Sequence, residues 1–197
     1  MKALALPFFA RDPLLVAPDL LGRTLYRDSA EGLVSGRIVE VEAYKGKDDP
    51  GSHAYRRRTP RNEAMFGPAG RLYVYFTYGM HFCSNVVTGQ DGEASAVLLR
   101  AVEPLEGSEL MAHRRGTESA RLLARGPARL CQAFAIGRSE NGADITKGDI
   151  WIGVPRRIDG AIKTSKRIGM ADEINRPWRF YEEGPWRSGP STPGANS

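Results

Sequence analysis

Hydrophobic positions along the chain fall into short runs, most with a period of two, separated by Gly, Pro and charged residues. Residues 13–22 (PLLVAPDLLG) read as an apolar helical stretch interrupted at Pro18, with Gly22 as its stop. Leu25-Tyr26 and then 36–44 read as strands joined by the polar turn Asp28-Ser29-Ala30-Glu31-Gly32. Strand patterns return at 72–78 (LYVYFTY), 82–88 and 96–102 (AVLLRAV), the last stopped by Pro104. The tetrad Tyr78-Gly79-Met80-His81 predicts a hairpin tip. Helical patterns follow at 105–114, 117–125 and 127–136, the last opening on Pro127 and ending at Gly137. Residues 149–154 and 161–168 read as further strands. Residues 45–70 have little apolar periodicity and predict a long surface loop, a feature that in a compact domain is usually functional or disordered. The order of elements predicts one mixed α+β domain over residues 1–186 and a flexible tail over 187–197.

Composition narrows the class. A chain of 197 residues with 41% apolar and 26% charged positions can bury an independent core. A coiled coil, a collagen and a wholly disordered chain are excluded. No window reaches the length of a membrane span, and the apolar start meets Pro7 and Arg11 too soon for a signal peptide. The expectation is a cytoplasmic protein (nucleoid-associated in a prokaryote) with no membrane partner. Cys83 and Cys131 stand alone, as do His53, His81 and His113, so neither a disulfide framework nor a metal site is expected. P-loop, dinucleotide-binding and GxSxG signatures are absent from the sequence. The net charge of +5, carried by 22 Arg against only 6 Lys, favours an anionic partner such as nucleic acid, although a GC-rich genome alone also yields arginine.

Three patterns could carry chemistry. In 36–44, period two places Ile38, Glu40 and Glu42 on one face and Val39, Val41 and Ala43 on the other. Two carboxylates on an apolar strand need partners if buried, and Arg37 and Arg100 are candidates; a wet edge strand is the plainer alternative. The aromatic strand groups Tyr73, Tyr75 and Thr77 on one face, a pattern that core packing also explains, while Tyr78 ends at the hairpin tip where a ring could wedge into a base stack. The loop carries Arg56, Arg57, Arg58 and Arg61 beside His53 and Tyr55, suited to phosphates or simply to solvent. Arg114, Arg115, Arg121, Arg125 and Arg129 form a second basic group without a common face.

Six segments together resemble the alkyladenine (3-methyladenine) DNA glycosylase family: RIVEVEAY (37–44), RTPRN (58–62), the LYVYFTYGMHFC stretch within 65–85, AVLLRAVEPLEG (96–107), GPARLCQA (126–133) and RIGMADEINRPWRFY with the following EGPW (167–186). The likeness runs from about Leu20 to Trp186. It implies one α+β domain with a curved antiparallel sheet core, flanking helices and a protruding hairpin. It implies a monomeric, monofunctional glycosylase without cofactor, acting on double-stranded DNA that contains damaged purines. By this resemblance Glu42 is the general base, Arg100 helps to hold the attacking water, and the backbone carbonyl near Met170 is a further anchor. Tyr44, His53 and Tyr75 sandwich the flipped base, Asn85 excludes the guanine amino group, Tyr78 fills the vacated stack, and Met80 touches the minor groove. The spacing of eleven residues from Glu42 to His53, with Tyr44 between, fits the family pattern, whereas His81 and Ala171 depart from it. A catalytically inactive binding module of the same fold is the alternative; an RNA-binding basic domain would explain the charge but not the acidic strand.

Overall fold

A computed structural model describes residues 2–188, with the side chain of Glu173 excepted. Two short helices, α1 (Leu6–Phe9) and α2 (Pro13–Leu20), lead into strands β1 (Arg23–Ser29), β2 (Gly32–Lys45), β3 (Leu72–Thr77), β4 (His81–Thr88) and β5 (Ser95–Pro104). Helices α3 (Ser108–Arg115) and α4 (Pro127–Ala133) follow, then β6 (Ile150–Arg156), β7 (Ile162–Ser165) and β8 (Arg179–Glu182). These eight strands form one open sheet, every pairing antiparallel, six of them in the order β3-β4-β5-β2-β1-β6 and the other two, β8 and β7, branching from β2. This is the mixed α+β fold that the sequence predicts.

The long strand β2 organises the sheet. One edge pairs with β5 from Gly36 to Lys45. The other edge is divided: Gly32–Arg37 pair with β1, and Glu40–Glu42 pair with β8, which in turn pairs with β7. A chain segment from beyond residue 160 is therefore laid against the part of β2 that carries the carboxylates.

One face of the sheet holds the main core. Val16, Ala17 and Leu20 of α2, Met111 of α3 and Leu130, Cys131 and Ala133 of α4 pack there against Leu72, Val74, Val86, Val97 and Leu99. On the opposite face a smaller cluster (Ala54, Met65, Tyr73, Val87, Ala94, Ala96) receives part of the 46–70 loop. Alternation along β3 and β5 divides the faces as expected: Leu72 and Val74 go to the main core, Tyr73 and Tyr75 to the other side.

Several boundaries differ from the pattern. The pairing of β2 with β5 shifts register around Val39 and Glu40, a bulge that turns Ile38 to the main core beside Val41 and Ala43 instead of to the carboxylate face. Helix α2 continues through Pro18 despite the lost backbone bond, held by the burial of Val16, Ala17 and Leu20 in the core. The predicted helix at 117–125 is a single 3-10 turn at Ala120–Leu122; the backbone of 124–126 instead bonds that of β5 at Arg100 and Val102. Helix α4 ends at Ala133, with Ala135 left-handed at φ 48°, and Gly137 opens another 3-10 turn. Strand β7 stops at Ser165, where the chain turns Arg167 inward. Helix α1 and strand β8 were not foreseen. Of the segment expected as a tail, Ser188 is buried, and residues 189–197 lie outside the described residues.

Candidate active site

The face of β2 opposite the main core presents Glu40 and Glu42, both with no exposed surface. Such burial of charge requires partners. Glu42 has three: Oε1 accepts the backbone N–H of Ile168 at 2.8 Å and lies 3.2 Å from Nη1 of Arg100, and Oε2 accepts the Tyr44 hydroxyl at 2.9 Å. Glu40 accepts Nε of Arg100 at 2.9 Å, Nε of Arg179 at 2.7 Å, and the N–H and hydroxyl of Ser188. Two carboxylates and two guanidiniums thus balance in charge beneath the surface. Arg37, the other expected partner, turns away to Glu103 at 2.7 Å and to Glu182.

Above Glu42 opens a cavity of about 350 Å³. Three of its walls come from the groups that bond Glu42 (Tyr44, Arg100, Ile168), and Met170, Asn85 and Pro127 complete the sides. Tyr73, Tyr75 and His53 form an aromatic wall. The His53 ring meets Tyr75 edge-on at 4.5 Å between centroids, and its Nδ1 lies 3.0 Å from the Tyr73 hydroxyl. Burial pushes the Tyr73 phenol up to about 12 and Tyr75 higher still, so both stay protonated near neutral pH. One edge of His53 meets solvent, but enclosure of its ring, and then the charge of Arg61, lower its pKa from the ordinary value. Tyr44 titrates well above the usual phenol range, first because of burial and then because Glu42 is beside it.

The segment after β7 is held by groups that the sequence pattern did not single out. Arg167 makes a fully buried bidentate pair with Asp49 (2.6 and 2.8 Å), bonds the Ala43 carbonyl at 3.1 Å, and lies 4.6 Å over the Tyr44 ring. Gly51 makes room for this packing: a Cβ there would stand 2.1 Å from Met170 Cε and 2.6 Å from Arg167 Nη2. The contact of this segment with Glu42 is the Ile168 N–H, whereas Met170 lines the cavity.

The loop bearing the arginines is stapled by Asn62, which is buried. Its amide donates to the carbonyls of His53 at 2.9 Å and Arg57 at 3.0 Å, and its Oδ1 accepts from the Thr59 N–H at 2.7 Å. Arg56 and Arg57 are exposed. Arg58 is engaged with Glu63, and Arg61 bonds the Phe76 carbonyl at 3.3 Å, tying the loop to the β3–β4 hairpin. At the hairpin tip Tyr78 is 87% exposed and Met80 70%. Tyr78 has φ 50° and Gly79 φ 69°, the left-handed geometry of a tight tip, and the Tyr78 ring stands at the cavity rim. Asn85, inside the cavity, donates to the Tyr73 carbonyl at 3.1 Å.

All residues expected at the base pocket thus line one cavity, with the hairpin tip at its rim and the carboxylate of Glu42 beneath. The arginine loop stands beside it. Among the described residues no helix is long and apolar enough to cross a membrane.

Comparison with known proteins adds three findings. The family model described as "Methylpurine-DNA glycosylase (MPG)" matches residues 7–185. A protein of Carboxydothermus hydrogenoformans is 50% identical over 177 residues, covering 88% of this chain and 92% of that protein. A protein of Desulfitobacterium hafniense is 44% identical over 195 residues, covering 93% and 96%. Both carry the name "Putative 3-methyladenine DNA glycosylase".

Proposed function

The chain belongs to the methylpurine-DNA glycosylase family, and from that premise we propose that it everts a damaged purine nucleotide from duplex DNA and hydrolyses its N-glycosidic bond with a water activated by Glu42. The observation that carries this reading is a fully buried carboxylate whose donors Tyr44, Arg100 and Ile168 all line an aromatic-walled cavity of about 350 Å³. A carboxylate has about four lone-pair sites, and three donors occupy Glu42, so one is left for a water.

The chemistry of the reaction fits these groups. A base inside a stacked duplex is unreachable, and extrusion costs a few kcal/mol, least for a damaged base. Tyr78 at the rim offsets part of that cost by filling the gap. The alkylated ring is cationic and electron-poor, which suits packing against Tyr44, His53 and Tyr75. The Tyr73 hydroxyl engages Nδ1 of His53, which leaves Nε2 as the ring's other polar atom for the base. As the bond to the base breaks, positive charge builds on the sugar. Glu42 stabilises that charge and takes the proton of the attacking water, while Arg100 helps to hold the water. Asn85 opposes a guanine amino group with its own amide. Arg56 and Arg57 take phosphates. Substrates on this reading are 3-methyladenine and other alkylpurines, with hypoxanthine and ethenoadenine as neutral lesions to be tested.

A binding module without catalysis would gain nothing from burying an acid under its pocket, since buried charge is costly without a use. The deciding experiment incubates the protein with duplex DNA bearing one alkylated adenine or hypoxanthine and cleaves the resulting abasic sites with alkali. Strand cleavage at the lesion is expected, and Glu42→Gln abolishes it while keeping affinity for an abasic-site duplex. Excision by Glu42→Gln at the wild-type rate would remove Glu42 from its role.

A further inference from the structure

We propose that Glu40 is a positioning residue for base excision, acting on Glu42 through the Arg100 guanidinium that the two carboxylates share; the proposal rests on Glu42 being the general base. Glu40 lies behind Arg100: of its donors Arg100, Arg179 and Ser188 only Arg100 lines the cavity, whereas Tyr44, Arg100 and Ile168, the donors to Glu42, all line it. Its action is on the fork of Arg100. The Nε edge points to Glu40 at 2.9 Å, Nη2 reaches the Ser188 hydroxyl at 3.2 Å, and only Nη1 is left for Glu42 at 3.2 Å.

That division matters because a guanidinium prefers to give a carboxylate two parallel N–H bonds. Were Arg100 free to turn, it would clasp both oxygens of Glu42, fill the lone pair meant for water and lock the base in an ion pair. Glu40 prevents this by claiming the other edge. Glu40 is itself fixed from the far side by Arg179 of β8 and by Ser188, so the end of the described chain holds the device in place. The titratable and charged groups that face Glu42 are Arg100 on β5, Arg179 opposite it on β8, Arg167 after β7, Tyr75 on β3, Cys83 on β4, and Tyr44 and Glu40 on its own strand. Among them Glu40 is the carboxylate that offsets the guanidiniums.

The test follows single-turnover excision from a lesion-bearing duplex across pH, in the full chain, for wild type, Glu40→Gln, Ser188→Ala and Glu42→Gln. Folding is checked by thermal melting and binding by titration with an abasic-site duplex. Glu40→Gln is expected to slow excision about tenfold with binding nearly unchanged, and to move the acid limb of the rate profile about one unit lower, since Arg100 then serves Glu42 alone. Ser188→Ala, the milder change should Glu40→Gln fail to fold, frees Nη2 and moves the limb the same way by less. An acid limb that stays in place in a folded variant, with rate and melting temperature falling together, overturns the proposal. Glu42→Gln separates the two readings: if it still excises, the role of Glu42 fails; if it is inactive while Glu40→Gln and Ser188→Ala match wild type, only the role of Glu40 fails.

Discussion

The hydroxyl of Tyr44 lies 2.9 Å from Oε2 of Glu42, so a phenol two positions along the same strand closes over the carboxylate. The same ring lies under the guanidinium of Arg167. Tyr44→Phe keeps the ring and its packing but leaves a buried carboxylate short of one donor, a loss of about 1–3 kcal/mol. The expected outcome is a lower melting temperature and slower excision, with lesion affinity close to wild type. Unchanged melting and excision would show that this bond does nothing for Glu42.

Tyr78 projects from the hairpin tip with few contacts, so its replacement spares the fold. Tyr78→Ser is expected to weaken binding to lesion-bearing duplex about tenfold, the scale of one stacked base, at constant melting temperature. Equal affinities in a titration would reject the wedge.

Asn85→Ala removes the cavity amide together with its bond to the Tyr73 carbonyl. Release of normal guanine from undamaged DNA is expected to rise, and stability to fall by about 1 kcal/mol. Base release is read by chromatography, and a flat guanine yield would exclude discrimination by this side chain.

His53 gives a pH dependence with a defined sign. Its pKa in the folded protein lies below the ordinary 6.5, so the unfolded chain binds more protons between the two values. Its stability contribution is present above pH 6.5 and is lost as acidification proceeds toward the folded-state pKa. Melting curves of wild type should fall more steeply below that pH than those of His53→Gln. A steeper fall in the variant would reverse the assignment.

Arg56 and Arg57 stand in solvent, while Arg58 is already paired with Glu63. Replacing Arg56 and Arg57 together by Ala should flatten the plot of log affinity against log salt by about 2, at roughly 0.9 per phosphate contact. Arg58→Ala should flatten it less. Equal effects from all three would mean that DNA displaces Glu63.

The strands and the hairpin tip were legible because each rests on local information, period two and turn residues; the pocket residues came from the family resemblance, and the fold brings Tyr44, His53, Tyr75 and Asn85 to one cavity. What was hidden depends on distant pairing. Nothing near Val39 marks the bulge that moves Ile38 to the core, since it arises from register against β5. The Asp49–Arg167 pair spans 118 residues and leaves no trace in either segment's pattern. Strand β8 is four residues long and is defined by the edge of β2 that it completes. The loop at 45–70 lacks apolar periodicity because polar staples hold it, Asp49 and Asn62 among them. Ser188 lies in a stretch rich in Gly, Ser and Pro, and only its hydrogen bonds reveal that it is inside.

The divided edge of β2 also sets a rule for fragments. The Ile168 N–H that meets Glu42, and the Arg179 and Ser188 groups that meet Glu40, all lie beyond residue 165. A polypeptide cut before that point would keep Arg100 and Tyr44 but lose the other donors to both acids, and with them the Ile168 and Met170 side of the cavity. The two acids on β2 thus depend for part of their clasp on a stretch of chain more than a hundred residues away along the sequence.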